Sequence, residues 1–208
     1  DWGDTKTDTA KSPSHTYTSI GTYKVLLTIT SANSCTDTIS RWVVVNPNAS
    51  VSFTINSTPQ CLRGNSFTYT STSTVSAGTF TNAWTYGDGG TGTGSPVTRS
   101  YAVAGLYKVI LTNTTNAFCT DTASKFVRVY PQANRNIAFN TQRQCLKNNS
   151  FVFTNTSTIA APGNMMKWNW AWGDTKTDTA KSPNHVYTSA GTYKVLLTIT
   201  SANSCTDT

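Results

Sequence analysis

Glutamate is absent from the 208 residues, histidine occurs only twice, no Cys-x-x-Cys pair exists, and the basic residues never gather into a run. Each absence excludes a class of chemistry. Hydrolysis by paired carboxylates needs two flanking acids, and a Ser-His-Asp site needs a base held by an acid. With every acid an aspartate and His15 and His185 standing 170 positions apart, neither constellation assembles, and the chain reads as a non-enzyme without a cofactor. A zinc site is not expected without clustered cysteines or histidines. The 16 Lys and Arg residues are scattered singly, so the formal charge of +7 marks a solvated surface rather than a nucleic-acid footprint. Weak attraction to acidic polysaccharide is compatible with that charge. No apolar stretch approaches the roughly 18 residues that span a bilayer, and Trp42-Val-Val-Val45 has the length of one strand.

What is abundant is Thr, Val, Tyr, Phe and Trp, the residues of pleated surfaces. The chain is also repetitive. Trp170-Ala-Trp172-Gly-Asp174, then Ser182-Pro183, His185-Val-Tyr187 and Gly191-Thr-Tyr193 through Thr200, recurs almost unchanged from Trp2 to Thr30, and more loosely from Trp84 to Thr112. Residues 1–38 and 171–208 are identical at 34 of 38 positions, differing at Asp1/Ala171, Ser14/Asn184, Thr16/Val186 and Ile20/Ala190. Gly21, Gly105 and Gly191 fall at steps of 84 and 86 residues. Repeats come before any other reading. These predict three modules: the C-terminal part of one at 1–47, a complete one at 48–131, and one at 132–208 lacking most of its last strand. A segment of a longer polypeptide is expected, built on a 170-residue period.

In the complete module, Val51, Phe53 and Ile55 alternate with polar residues, as do Phe67 and Tyr69, Trp84 and Tyr86, Tyr107, Val109 and Leu111, and Val127 and Val129. Alternation with period two predicts strands with one buried face. The glycine-rich run Gly87–Gly94 reads as turn. Prolines after the final strands, at Pro47 and Pro131, end the ladders and leave short linkers. About seven short strands per module predict an all-β fold, immunoglobulin-like sandwiches in an end-to-end array.

Trp-x-Trp/Tyr-Gly-Asp, Ser-Pro-x-His-x-Tyr and Gly-x-Tyr-x-Val-x-Leu-Thr together resemble the signature of the polycystic kidney disease (PKD) domain. The middle module has the family's Gly-Asp-Gly at Gly87-Asp88-Gly89; the others have Gly-Asp-Thr-Lys. Arrays of this kind, with cysteine in a Gln-Cys-Leu context and another before Thr-Asp-Thr, resemble giant secreted surface adhesins of Bacteroidota exported by type IX secretion. The resemblance implies an extracellular, cell-surface location and a structural or adhesive role in a stiff fibre or filament. Partners would then be neighbouring modules, identical chains and surface glycans. The alternative is a non-catalytic spacer, or carbohydrate-binding modules, in a secreted hydrolase.

Cys61 and Cys145 precede second strands, while Cys35, Cys119 and Cys205 precede last strands, and an oxidised extracellular framework is expected. In the sandwich these two classes lie at opposite ends of one module, roughly a strand length apart, beyond disulfide reach. That favours a junction staple from Cys61 to Cys205, with Cys35, Cys119 and Cys145 paired to other modules or chains. Bridges within modules, Cys61 to Cys119 and Cys145 to Cys205, remain the rival.

His15 and His185 are expected to bond to nearby backbone, and Asp4, Asp88 and Asp174 to cap their own turns rather than hold calcium. Trp84, Trp170 and Trp172 are expected in cores. Trp42 and its counterpart Phe126 point out of phase with the inward valines and are candidates for an interface. Asn48, Asn56, Asn113, Asn148 and Asn155 stand in Asn-x-Ser/Thr contexts. Thr9, Thr38, Thr122 and Thr179, in Asp-Thr-Ala/Ile contexts, resemble O-glycosylation acceptors of Bacteroidota.

Overall fold

The computed structural model describes residues 1–161 and 166–208. All regular elements among them are strands, as the alternating patterns and β-prone composition require. In the N-terminal segment β1 (Gly21–Thr30) and β2 (Thr36–Val45) form one long antiparallel hairpin, with Gly21 opposite Val45 and Thr30 opposite Thr36.

The middle module contains β3 (Phe53–Ile55), β4 (Gln60–Cys61), β5 (Phe67–Ser71), β6 (Phe80–Thr85), β7 (Thr91–Thr93), β8 (Val97–Arg99), β9 (Gly105–Thr115) and β10 (Thr120–Tyr130). They form two sheets, ordered β3-β5-β8 and β4-β10-β9-β6-β7. Successive side chains of a strand point to opposite faces, so the inward set of each sheet meets the other. Phe53, Phe67 and Tyr69 from the first sheet pack on Trp84, Val109, Leu111, Val127 and Val129 from the second, all essentially without solvent contact. The Trp84 indole N–H donates to the Gly94 carbonyl at 2.8 Å, satisfying the one donor this buried ring carries.

The glycine run differs from the expected turn. Thr91–Thr93 is strand β7, with Gly92 opposite Trp84. The cause is steric: a Cβ at Gly92 would collide with the Tyr86 hydroxyl, so glycine serves here to admit a tyrosine.

The third module contains β11 (Ala133–Asn134), β12 (Ile137–Phe139), β13 (Phe151–Asn155), β14 (Thr158–Ile159), β15 (Met166–Ala171), β16 (Thr177–Asp178), β17 (Asn184–His185), β18 (Leu196–Ser201) and β19 (Thr206–Asp207). The order β16-β15-β18-β19 reproduces β7-β6-β9-β10 of the middle module. Its core centres on Trp170 and Trp172, stacked with centroids 5.5 Å apart, beneath Phe153 and Ile199.

Candidate functional site: the junction between modules

The Gly-Asp turns build the local frame. Asp174 Oδ1 accepts the Lys176 amide at 3.2 Å, and Oδ2 accepts from His185 Nε2 at 2.8 Å. Asp4 does the same with Lys6 and His15. The histidines therefore bond to a carboxylate, not to backbone as expected, and His185 also stacks on Trp172 at 4.6 Å. In the middle module Arg99 replaces histidine and reaches Asp88 Oδ2 at 2.6 Å, so the turn needs a cationic or N–H donor eleven residues on. Desolvation is the largest influence on these carboxyls and acts upward. The donor side chain, the turn amide and nearby positive charge together outweigh it and hold Asp4, Asp88 and Asp174 below the ordinary aspartate value. A lowered folded pKa contributes stability above the unfolded value, and that contribution disappears as pH falls through the folded pKa. The urea midpoint should therefore fall once pH drops below about 4. In Asp174→Asn the decline should be shallower; an acid limb identical in wild type and variant would refute the assignment.

Buried asparagines lock the second-strand loops, a feature the sequence reading passed over. Asn65 Nδ2 donates to the Leu62 and Tyr101 carbonyls at 2.7 and 2.9 Å, and its Oδ1 accepts the Tyr101 amide. Asn149 repeats the clamp on Leu146 and Tyr187. The available signal was their recurrence 84 residues apart, each two positions before a strand phenylalanine.

That clamp fixes the position of Cys61. Strand β4 runs parallel to the end of β10, with Cys61 opposite Tyr130, and the Leu62 amide donates to the Tyr130 carbonyl at 2.9 Å. Cys61 thus lies where the chain leaves the middle module. Cys205 lies at the tip of the β18–β19 hairpin, whose turn is closed by Ser201 N–H to the Cys205 carbonyl and by Ser204 at φ 61°. The two cysteines form a disulfide with Cα atoms 5.5 Å apart. The intramodule bridges are not present.

An ion pair surrounds the staple. Arg63 grips Asp207 with both terminal nitrogens, at 2.5 and 3.1 Å, and Arg135 Nε approaches the same carboxylate at 3.1 Å. The Gln132 side-chain amide donates to the Thr206 carbonyl. The Asp207 side chain is 2% exposed, whereas those of Arg63 and Arg135 are 62% and 39% exposed. One desolvated anion is held by two cations that stay hydrated, which limits the cost of burying charge. Sequence reading missed these residues. Their signal was a repeated spacing: an aspartate two residues after Cys35, Cys119 and Cys205, and a base two residues after Cys61 and Cys145.

The remaining candidates lie apart. Cys35 and Cys145 are exposed free thiols, and Cys119 is half-buried. A maleimide added to the native protein should label Cys35 and Cys145 first, Cys119 more slowly, and neither Cys61 nor Cys205. Rapid labelling of Cys205 would overturn the staple. Thr9, Thr38, Thr122 and Thr179 are all exposed. Of the asparagine sites, Asn48, Asn56 and Asn148 are exposed, while Asn113 and Asn155 are buried. Trp42 and Phe126 are 67% and 56% exposed, opposite Lys24 and Lys108 on neighbouring strands.

The profile of the PKD domain family matches residues 1–46, 44–129 and 133–208. Among solved structures, the chain is similar to the PKD1 domain of the Vibrio cholerae metalloprotease PrtV at 30% identity, over 41% of this chain and 98% of that one, with a TM-score of 0.35. It is similar to the PKD1 domain of Vibrio anguillarum Epp at 26% identity, over 41% and 96%, with a TM-score of 0.37. A carbohydrate-binding module of the β-sandwich superfamily aligns at 16% identity over 74% and 84%, with a TM-score of 0.39. No curated protein matches. The chain belongs to the PKD domain family.

Proposed function

We propose that this chain is the structural and adhesive repeat region of a large secreted cell-surface protein, and that it forms a stiff extracellular fibre. PKD domains are non-catalytic modules, and three matches in tandem make an array. The observation that carries the reading is the junction: the Cys61–Cys205 disulfide and the Asp207 cluster bind two consecutive modules into one body. A staple of this kind belongs in an oxidising compartment. Exposed threonines in Asp-Thr contexts supply positions for glycans on its surface. Small-angle scattering of the chain with and without reductant tests the reading. A narrow distribution of dimensions that broadens on reduction is expected; an equally broad distribution in both states would refute it.

A second reading, glycan contact by the modules, is favoured by the outward aromatics Trp42 and Phe126, each opposite a lysine. A glycan array should then show binding that Phe126→Ala abolishes. Absence of binding would remove this reading and leave the fibre untouched.

A further inference from the structure

The outer face of the five-stranded sheet in the middle module takes no part in the junction. Trp84, Val109, Leu111, Val127 and Val129 are buried, so the residues that alternate with them on β6, β9 and β10 face solvent. The strand register sets these outward residues in rows. Thr93, Ala83, Thr112 and Thr122 form one row, and Thr91, Thr85, Ile110 and Ser124 the next. Farther along, Lys108 stands opposite Phe126, and Leu106 opposite Arg128. The face thus passes from a field of hydroxyls to an exposed ring with a lysine and an arginine beside it.

Nothing on this face neutralises those charges. No outward position of β6, β7, β9 or β10 is an acid. Asp88, at the border of the sheet, is turned to Arg99 of the other sheet at 2.6 Å, and Asp121 alternates onto the inward side between Thr120 and Thr122. Among the described residues, no ion pair involves Lys108 or Arg128; the Arg128 guanidinium lies over the Tyr130 ring at 6.0 Å. Gly87 lies against the Lys108 backbone, where an added Cβ would meet the carbonyl oxygen at 2.8 Å. No side chain therefore stands beside the lysine on that strand. The arrangement recurs 84 residues earlier, with Trp42 opposite Lys24 and Gly3 against the Lys24 carbonyl at 2.8 Å.

We propose that this face binds an acidic polysaccharide built of uronate units, lying along β9 and β10 with one sugar ring on Phe126 and carboxylates at Lys108 and Arg128. The proposal rests on the reading of glycan contact by the modules and adds the charge class of the glycan. A uronate ring offers C–H groups that cover an aromatic face and a carboxylate that a guanidinium fork or an ammonium can hold. Thr85, Thr112, Thr122 and Ser124 continue the surface with hydroxyls that both donate and accept, as the hydroxyls of further sugar units require. Trp42 and Lys24 supply a second platform on the same chain, so a long polymer can engage both and gain avidity. Nucleic acid fits less well. A single ring per face gives no succession of stacking platforms, and a lysine with one arginine does not make a groove that tracks phosphates.

Titration of the full chain with polygalacturonate, its methyl ester and single-stranded DNA tests this. Binding of the acid is expected, about tenfold or more weaker for the ester, and weakening as salt rises. Lys24→Gln with Lys108→Gln should remove the preference for acid over ester. Trp42→Ala with Phe126→Ala should lower affinity for both about tenfold or more. All four side chains are exposed, so each variant should keep the wild-type urea midpoint. Equal binding of acid and ester, lost in the aromatic variant, would overturn the anionic class and keep glycan contact. Binding of neither would remove both. DNA bound as tightly as polygalacturonate would overturn the polysaccharide in favour of a general polyanion surface. Binding of polygalacturonate unchanged by all four substitutions would overturn the assignment to this face.

Discussion

Cys205→Ser should lower the unfolding free energy by about 2–5 kcal/mol. The disulfide closes a loop with a sequence separation of 144, and in the chain-entropy account a loop that long restricts the unfolded ensemble by about 5 kcal/mol, with delivered values commonly lower. Serine is close in size to cysteine, so packing at the hairpin tip changes little, and Arg63 can still grip Asp207. The measurement is a chemical denaturation midpoint with and without reductant. Wild type should shift on reduction to the midpoint of the variant, and the variant should not shift. Equal midpoints for oxidised wild type and variant would show that the staple contributes nothing to stability.

Trp84→Ala is expected to cost about 3–5 kcal/mol, a large share of the roughly 5–15 kcal/mol by which a domain is stable. Trp84 is 1% exposed and meets Phe53 edge-on at 5.1 Å and Tyr69 at 5.7 Å, so alanine opens a cavity between the two sheets. It also leaves the Gly94 carbonyl without its indole donor. Trp42→Ala is the contrasting control: its side chain is largely in water, and its cost should stay within about 0.5 kcal/mol. Circular dichroism in urea separates the two. A Trp84→Ala midpoint within error of wild type would mean that the sheets do not depend on this ring.

The inward faces were legible because alternation is a local property. Phe53, Tyr69, Trp84, Leu111 and Val127 each follow the period of two, and all are buried. Gly92 was illegible for a tertiary reason: glycine signals a turn locally, but its place opposite Trp84 depends on where the Tyr86 hydroxyl packs. The His185–Asp174 contact was also out of reach, since Asp174 sits in the Gly-Asp turn and His185 on strand β17, and only the fold brings them together. At the junction, strand order separates the cysteines into two ends and leaves two pairings open. What distinguishes them is the docking of one module on the next, carried by Arg63, Arg135 and Asp207, whose partnership spans up to 144 residues of chain.

The staple also determines the path of tension. When the polypeptide is pulled on either side of Cys61 and Cys205, the load crosses from one sulfur to the other and bypasses everything between them. Most of the middle and third modules then hang as an unloaded loop. A sequence separation of 144 corresponds to about 500 Å of extended chain, a length that the array withholds until the bond is reduced. Mechanical resistance of this part of the chain is thereby moved from the hydrogen bonds of the sheets to a single covalent bond. Redox state, rather than sheet strength, decides how far it can extend.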